Sequence, residues 1–160
     1  FVEECKKAGV KSMITVFTRS SGRDVKDMGF DAVKIASYDC LSIPLLKDVM
    51  KWWPIIVVST GATYDHEVEK AAQALKGSKF VFLHCVTIYP TPVGECHLKR
   101  MEWLSQFTSQ VGWSDHTLVE KDGIWVSKIA LALGATWIER HFTILKKDQI
   151  LHYSHHQIHL

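Results

Sequence analysis

The chain has 160 residues, 47% of them hydrophobic, with 19 Lys and Arg against 17 Asp and Glu and a formal net charge of +2. That balance supports a globular domain with a sizeable core and excludes a disordered chain. No basic cluster offers a footprint for a phosphate backbone and no apolar run approaches the ~20 residues that cross a bilayer, so neither nucleic acid nor a membrane is an expected partner.

Residues 2–8 predict the last turns of a helix, stopped by Gly9. That helix has no beginning and no secretory signal precedes it, so the chain is expected to start inside a larger domain. Residues 12–18 form a β-rich run, 19–22 a loop, and 23–28 a short helix ending at Gly29. Residues 32–37 read as a buried strand. Ser42 and Pro44 open a helix whose apolar positions Leu45, Leu46, Val49, Met50 and Trp53 follow the helical period, and Pro54 closes it. The apolar run 55–59 ends in Ser59-Thr60-Gly61. Thr63 is expected to cap a helix over 64–76, with Val68, Ala71, Ala72 and Leu75 on one face and Gly77 as its stop.

The strand at 80–85 ends in His84-Cys85 and leads into a stiff loop, Tyr89-Pro90-Thr91-Pro92. Leu98, Met101, Leu104 and Phe107 give the next helix its inner face. A strand over 111–117 ends in Ser114-Asp115-His116-Thr117. Asp122 is expected to cap a helix carrying Ile124, Val126, Ile129, Ala130 and Leu133, ended by Gly134, and a last strand covers 136–142. The four cysteines, Cys5, Cys40, Cys85 and Cys96, lie far apart without a Cys-x-x-Cys, which suits reduced thiols in a cytoplasmic protein.

Strand-like runs therefore alternate with helices. Strands that lack polar alternation are buried on both faces, which implies a parallel sheet with right-handed crossovers. Each run ends in polar residues, and in a (β/α)8 barrel the active site lies at that edge. The expected fold is α/β: a parallel (β/α)8 TIM barrel, incomplete, with about six βα units over residues 1–145 and the first two strands outside the chain. Two uncovered sheet edges would then make the isolated chain self-associate. Residues 146–160 carry four histidines without a clear period and are expected to be an aberrant or disordered tail. His116 and His141 end neighbouring strands in matching positions. That geometry suits a divalent metal, although a hydrogen-bonded core histidine is the ordinary alternative for either one.

Five segments resemble the sialic acid synthase family: Lys34-Ile35-Ala36-Ser37 with Asp39; Ser59-Thr60-Gly61; His84-Cys85 with Tyr89-Pro90-Thr91-Pro92; Gly112-Trp113-Ser114-Asp115-His116-Thr117; and Ile138-Glu139-Arg140-His141-Phe142-Thr143. Each is weak alone, but all five stand in order at predicted strand ends. The resemblance implies an enzyme that condenses phosphoenolpyruvate with N-acetylmannosamine or a related N-acetylated sugar to give a nonulosonic acid and phosphate. It implies that Lys34, Ser37, Ser59 and Ser114 bind phosphoenolpyruvate, whose phosphate and carboxylate need a cation and directed donors. For these positions a snorkelling lysine and capping serines are the structural alternative.

The resemblance makes His116 and His141 the protein ligands of Mn2+ or Mg2+, a Lewis acid on the sugar aldehyde. Imidazole favours Mn2+ of the two. It makes Asp39 an acidic contact to the sugar and Tyr89 a wall of the sugar pocket. Asp115 and Glu139 flank the ligands, as substrate or catalytic contacts or as groups that orient the histidines; a structural salt bridge is the alternative for both. Family members form homodimers in which a C-terminal antifreeze-like domain closes over the partner's barrel, and nothing in this chain corresponds to that domain. The family's N-terminal glutamate and further lysines are also absent, and its Gly-x-Asp loop is replaced by Lys147-Asp148-Gln149-Ile150-Leu151-His152. Two other readings stay open. One is a phosphoenolpyruvate-dependent aldol synthase for a sugar phosphate, with only Arg19 and Arg140 available for a second phosphate. The other is a non-catalytic remnant that keeps a binding surface.

Overall fold

A computed structural model describes residues 1–18, 22–143 and 158–159. The chain divides into two compact units, Phe1–Phe82 and Leu83–Leu160.

The first unit runs α1 (Val2–Lys7), β1 (Met13–Val16), α2 (Gly22–Asp27), β2 (Ala32–Ile35), a 3-10 turn (Ser37–Asp39), α3 (Ile43–Val49), β3 (Ile56–Ser59) and α4 (Asp65–Ala74). Strand β4 (Phe80–Cys85) begins in this unit and ends in the next. The second unit continues with a 3-10 turn (Val93–Glu95), α5 (Arg100–Leu104), β5 (Val111–Asp115), α6 (Val119–Asp122), α7 (Trp125–Ala132) and β6 (Trp137–Arg140). A short β7 (Phe142–Thr143) pairs in parallel with β8 (Ile158–His159). The rest of the expected tail, and Arg19, lie outside the described residues.

The hydrogen-bonded order of the main sheet is β1-β2-β3-β4-β5-β6. β1 pairs with β2, β2 with β3 and β5 with β6, all in parallel, as the uninterrupted apolar runs predict. All residues of β3, β4 and β5 are buried, whereas β1 has one buried residue and β6 none. The difference follows from strand order: an end strand has a neighbour on one side only. The largest fully buried side chains include Trp113 and Phe82, which lie on β5 and β4.

Gly112 decides how closely β5 and β6 approach. A Cβ there would lie 2.5 Å from the Trp137 carbonyl oxygen and 2.6 Å from a Leu83 methyl. Only a residue without a side chain lets the two strands pair at this point.

Two helix starts differ from the sequence expectation, and a third stands where expected, with Ser42 as its N-cap, but lacks the side-chain bond. Ser42 precedes α3 without a side-chain capping bond, and Pro44 in the first turn is what suits that start. Thr63 does not cap α4; its hydroxyl donates to the Thr60 carbonyl at 2.7 Å, and the chain starts the helix one residue later. There Glu67 accepts the Tyr64 N–H at 2.8 Å, so a carboxylate satisfies the first turn. Asp122 closes α6 rather than opening the next helix. Gly123, at φ 57°, breaks the segment in a conformation that side chains with a Cβ resist, and α7 starts afresh at Trp125.

No helix among the described residues is long and apolar enough to cross a membrane. All four cysteines are free thiols.

Candidate active site

The second unit holds a histidine cluster at the C-terminal ends of β5 and β6. The strand register pairs Ser114 with Glu139 and Asp115 with Arg140. Side chains alternate across a strand, so Ser114 and Glu139 stand on one face of the pair and Asp115 and Arg140 on the other. The contacts divide the same way. On the first face the Ser114 hydroxyl donates to Glu139 Oε2 at 2.6 Å and lies 3.2 Å from His116 Nε2. On the second face Asp115 meets Arg140, with Nη1 2.7 Å from Oδ2.

His116 is buried, and its ring is held from three sides. Its Nδ1 is 2.9 Å from the Val86 carbonyl oxygen. A carbonyl only accepts, so Nδ1 carries a proton, and in the neutral ring Nε2 is the nitrogen with the lone pair. The Thr91 N–H donates to the His116 carbonyl at 2.9 Å, which ties the 86–92 loop to the same residue. The Tyr89 ring lies 4.2 Å from the His116 ring and 6.2 Å from that of His141, and the two imidazoles are 5.5 Å apart between centroids. Tyr89 is half exposed, and desolvation raises its hydroxyl pKa, with Cys85 and Glu139 adding to the shift. It is a neutral aromatic wall beside both histidines.

The donor set here fits a cation. His116 Nε2 lies 3.2 Å from the Ser114 Oγ, whose hydrogen is directed at Glu139, with a second imidazole 5.5 Å away. A divalent ion of the Mn2+ kind suits two imidazoles with positions left for small oxygen ligands. Among the described residues no group of three or more His, Cys, Asp or Glu gathers that could hold a metal ion.

Asp115 is fully buried and accepts four hydrogen bonds from three residues. Oδ1 takes the Thr117 N–H at 2.9 Å and the Thr117 hydroxyl at 2.7 Å; Oδ2 takes the Ser127 hydroxyl at 2.5 Å and Arg140 Nη1. Arg140 Nη2 donates to the Thr117 carbonyl at 2.9 Å. The salt bridge weighed from the sequence for Asp115 is therefore present. Its partner Arg140 and the α7 residue Ser127 were not foreseen, because nothing in a one-dimensional pattern points from a mid-helix serine to a strand end.

His84 is apart from this pair. Its Nε2–H donates to the Cys96 carbonyl at 2.8 Å, its ring lies 5.1 Å from that of Trp113, and among the described residues Nδ1 has no partner. Burial lowers its pKa to about 4, so it is neutral near pH 7. Burial also pushes the neighbouring Cys96 thiol up to about 11, which leaves it an unreactive thiol.

The first unit holds the anion-type candidates. Lys34 on β2 pairs in register with Val57 on β3, and Ser59, two residues on, stands on the same face as Val57. Lys34 and Ser59 thus share one face of the sheet, opposite the fully buried Val33, Ile35 and Val58. Ser37 accepts the Gly61 N–H at 3.0 Å and so fastens the turn after β3. Ser59 is 3% exposed, and its hydroxyl has no hydrogen-bond partner among the described residues. The same holds for Asp39 Oδ2. Buried polar atoms without partners are rare, and ones at strand C-terminal ends suit a ligand that supplies the missing bonds.

Comparison with known proteins agrees with this geometry. The model of the NeuB family matches residues 1–156. The N,N'-diacetyllegionaminic acid synthase of Campylobacter jejuni is 37% identical over 147 residues, which cover 88% of this chain and 43% of that protein. The N-acetylneuraminate-9-phosphate synthase of Drosophila melanogaster is 31% identical over 150 residues, 91% of this chain and 39% of that protein. The crystal structure of the N-acetylneuraminic acid (sialic acid) synthetase of Leptospira borgpetersenii, in complex with citrate, superposes with a TM-score of 0.88 at 28% identity, over 99% of this chain and 55% of that one. The fold class is accordingly α/β, part of a (β/α)8 TIM barrel. The chain spans less than half the length of these curated relatives.

Proposed function

Because the chain belongs to the NeuB family, we propose that it carries the ligand-binding strand ends of a synthase that joins phosphoenolpyruvate to an N-acetylated amino sugar, giving a nonulosonic acid and phosphate. The observation that carries this reading is the His116–His141 pair, with the two rings 5.5 Å apart and the His116 ring fixed by its Nδ1–H bond to Val86.

Each half contributes one kind of recognition. His116 and His141 hold a divalent ion, Mn2+ before Mg2+, which supplies Lewis-acid polarisation of the sugar aldehyde. Tyr89 walls the acceptor beside them. Ser114 and Glu139, linked at 2.6 Å, give the reaction a hydroxyl and a carboxylate beside His116. Lys34 and Ser59 supply a cation and a hydroxyl for the phosphate or carboxylate of phosphoenolpyruvate, with Ser37 holding the turn that presents Ser59. Asp39 accepts from a sugar hydroxyl or amide. Asp115 keeps to the opposite face of the strand pair, so its part is to position its neighbours. In the reaction C3 of phosphoenolpyruvate bonds to the aldehyde carbon, water adds at C2 and phosphate leaves. Free thiols throughout suit a cytoplasmic protein, and the family pattern implies a homodimer for the full-length enzyme.

A sugar-phosphate acceptor is the less favoured substrate. It would call on a second arginine, and the Arg140 guanidinium is spent on Asp115 and Thr117. The deciding experiment is phosphate release from phosphoenolpyruvate with Mn2+ and either N-acetylmannosamine or its phosphate. Turnover that requires Mn2+ and the unphosphorylated sugar supports the proposal. Binding of phosphoenolpyruvate without turnover would favour the non-catalytic reading.

A further inference from the structure

We propose that Arg140, Asp115 and Ser127 form a bracket on the reverse face of the β5–β6 pair that sets the separation of the two metal-binding histidines. The proposal rests on the assignment of His116 and His141 as ligands of one ion.

The argument begins with sequence position. Asp115 precedes His116, Thr117 follows it, and Arg140 precedes His141. The Arg140 guanidinium sends Nη1 to the Asp115 carboxylate and Nη2 to the Thr117 carbonyl, at 2.7 and 2.9 Å. It therefore grips the residues on either side of one histidine from the residue next to the other. A guanidinium is planar and its two donors have a fixed spacing, so both bonds form only at one offset between the strand ends. Ser127 donates to Asp115 at 2.5 Å and lies 3.4 Å from Arg140 Nη1, which docks α7 onto the same pair.

The burial makes a purely cohesive role a poor explanation. Asp115 is 0% exposed at its side chain and Arg140 8%. A buried ion pair loses much of its attraction to desolvation, and well-packed apolar residues are often as stabilising. What apolar packing lacks is directional bonds with a defined length. The backbone ladder ends with Asp115↔Arg140, so the histidines lie just beyond its register. The bracket extends the register past the last ladder pair and holds their backbones where the ladder no longer does. Groups that orient metal ligands from behind alter metal affinity about 10–100-fold when removed.

The test uses the 160-residue chain and Mn2+ alone. Free Mn2+ is titrated by its electron paramagnetic resonance signal, and the number of coordinated imidazole nitrogens is read from nitrogen hyperfine modulation. Thermal melts of the metal-free proteins run in parallel. Arg140→Lys keeps the charge but loses the fork; it should weaken Mn2+ binding about 10–100-fold and reduce the nitrogen count from two to one. Ser127→Ala, far milder for folding, should weaken binding several-fold. An Arg140→Lys protein with wild-type affinity and two nitrogens, whether or not its melt shifts, would overturn the proposal, because charge and packing alone would then suffice. If Arg140→Lys does not fold, Ser127→Ala decides: unchanged Mn2+ affinity overturns the bracket. A His116→Ala protein that binds Mn2+ as tightly as wild type overturns the metal assignment itself, and the bracket with it; that pattern is distinct from the first.

Discussion

The two units meet the same requirement, polar groups at strand ends, in opposite ways. At the ends of β5 and β6 the polar side chains bond mainly to one another: Ser114 to Glu139, Asp115 to Arg140, Thr117 and Ser127, His116 to Val86. At the ends of β2 and β3, Ser59 and Asp39 each keep a buried oxygen without a partner among the described residues. The first arrangement is preorganised: its geometry is built before a ligand arrives, which suits an ion that demands fixed bond lengths. The second leaves bonds to be completed by the ligand, which suits an anion with several equivalent oxygens. Removing a side chain should therefore damage fold and binding together in the second unit and separate them in the first.

The largest expected effect breaks the preorganised side. In a complete enzyme, His116→Ala should lower condensation more than about 100-fold, beyond the range for groups that only orient a ligand. Steady-state phosphate release with and without added Mn2+ measures it, and near wild-type turnover would refute the mechanism.

A second prediction concerns pH. His84 has a folded pKa of about 4, below its ordinary 6.5, because its burial disfavours the charged form. The unfolded chain then binds a proton that the folded chain refuses. Its contribution to stability is whole above pH ~6.5, falls as pH drops through that window and is lost by pH ~4. The span amounts to roughly 3 kcal/mol, since one pKa unit is about 1.4 kcal/mol. Urea unfolding at pH 7 and pH 4.5 should show the loss, and His84→Gln should reduce the slope between them. Equal slopes would mean that His84 accepts a proton in the fold.

Gly112→Ala tests how tightly the β5–β6 pair is drawn together. Its Cβ would collide with backbone at Trp137, which cannot swing aside, so a loss of about 1–3 kcal/mol is expected, and more if the strands part. Denaturant midpoints read this directly. A neutral result would show that the spacing of the strand ends tolerates adjustment, against the preorganised picture.

The smallest effect sharpens the contrast. Ser59→Ala removes a hydroxyl that has no hydrogen-bond partner among the described residues, so stability should stay within about 0.5 kcal/mol of wild type. The KM for phosphoenolpyruvate should nevertheless rise by about tenfold, the value of one hydrogen bond to a charged group. A destabilised protein with unchanged KM would assign Ser59 to the fold instead.

Much of this was legible in the chain itself. Unbroken apolar runs such as 55–59 and 80–85 specify parallel strands because a strand buried on both faces cannot alternate, and the observed β3 and β4 lie within those bounds. The matching positions of His116 and His141 follow from the same regularity, since successive parallel strands end on one edge of the sheet. Helix starts were harder. Thr63 and Asp122 look like caps because short polar side chains favour those places, yet one bonds backward and the other yields to the break at Gly123. Local propensity differs by little between such alternatives, and packing decides. The salt bridge of Asp115 was an option in the sequence, but its partner among the chain's basic residues, the carbonyl of Thr117 and the hydroxyl of Ser127 came only from folding. Chain order determined which residues reach the strand ends, because backbone periodicity is local. Tertiary structure alone determined which of them bond to each other and which keep a buried atom without a partner among the described residues, because hydrogen bonds depend on distances set by elements 10 to 30 residues apart in sequence.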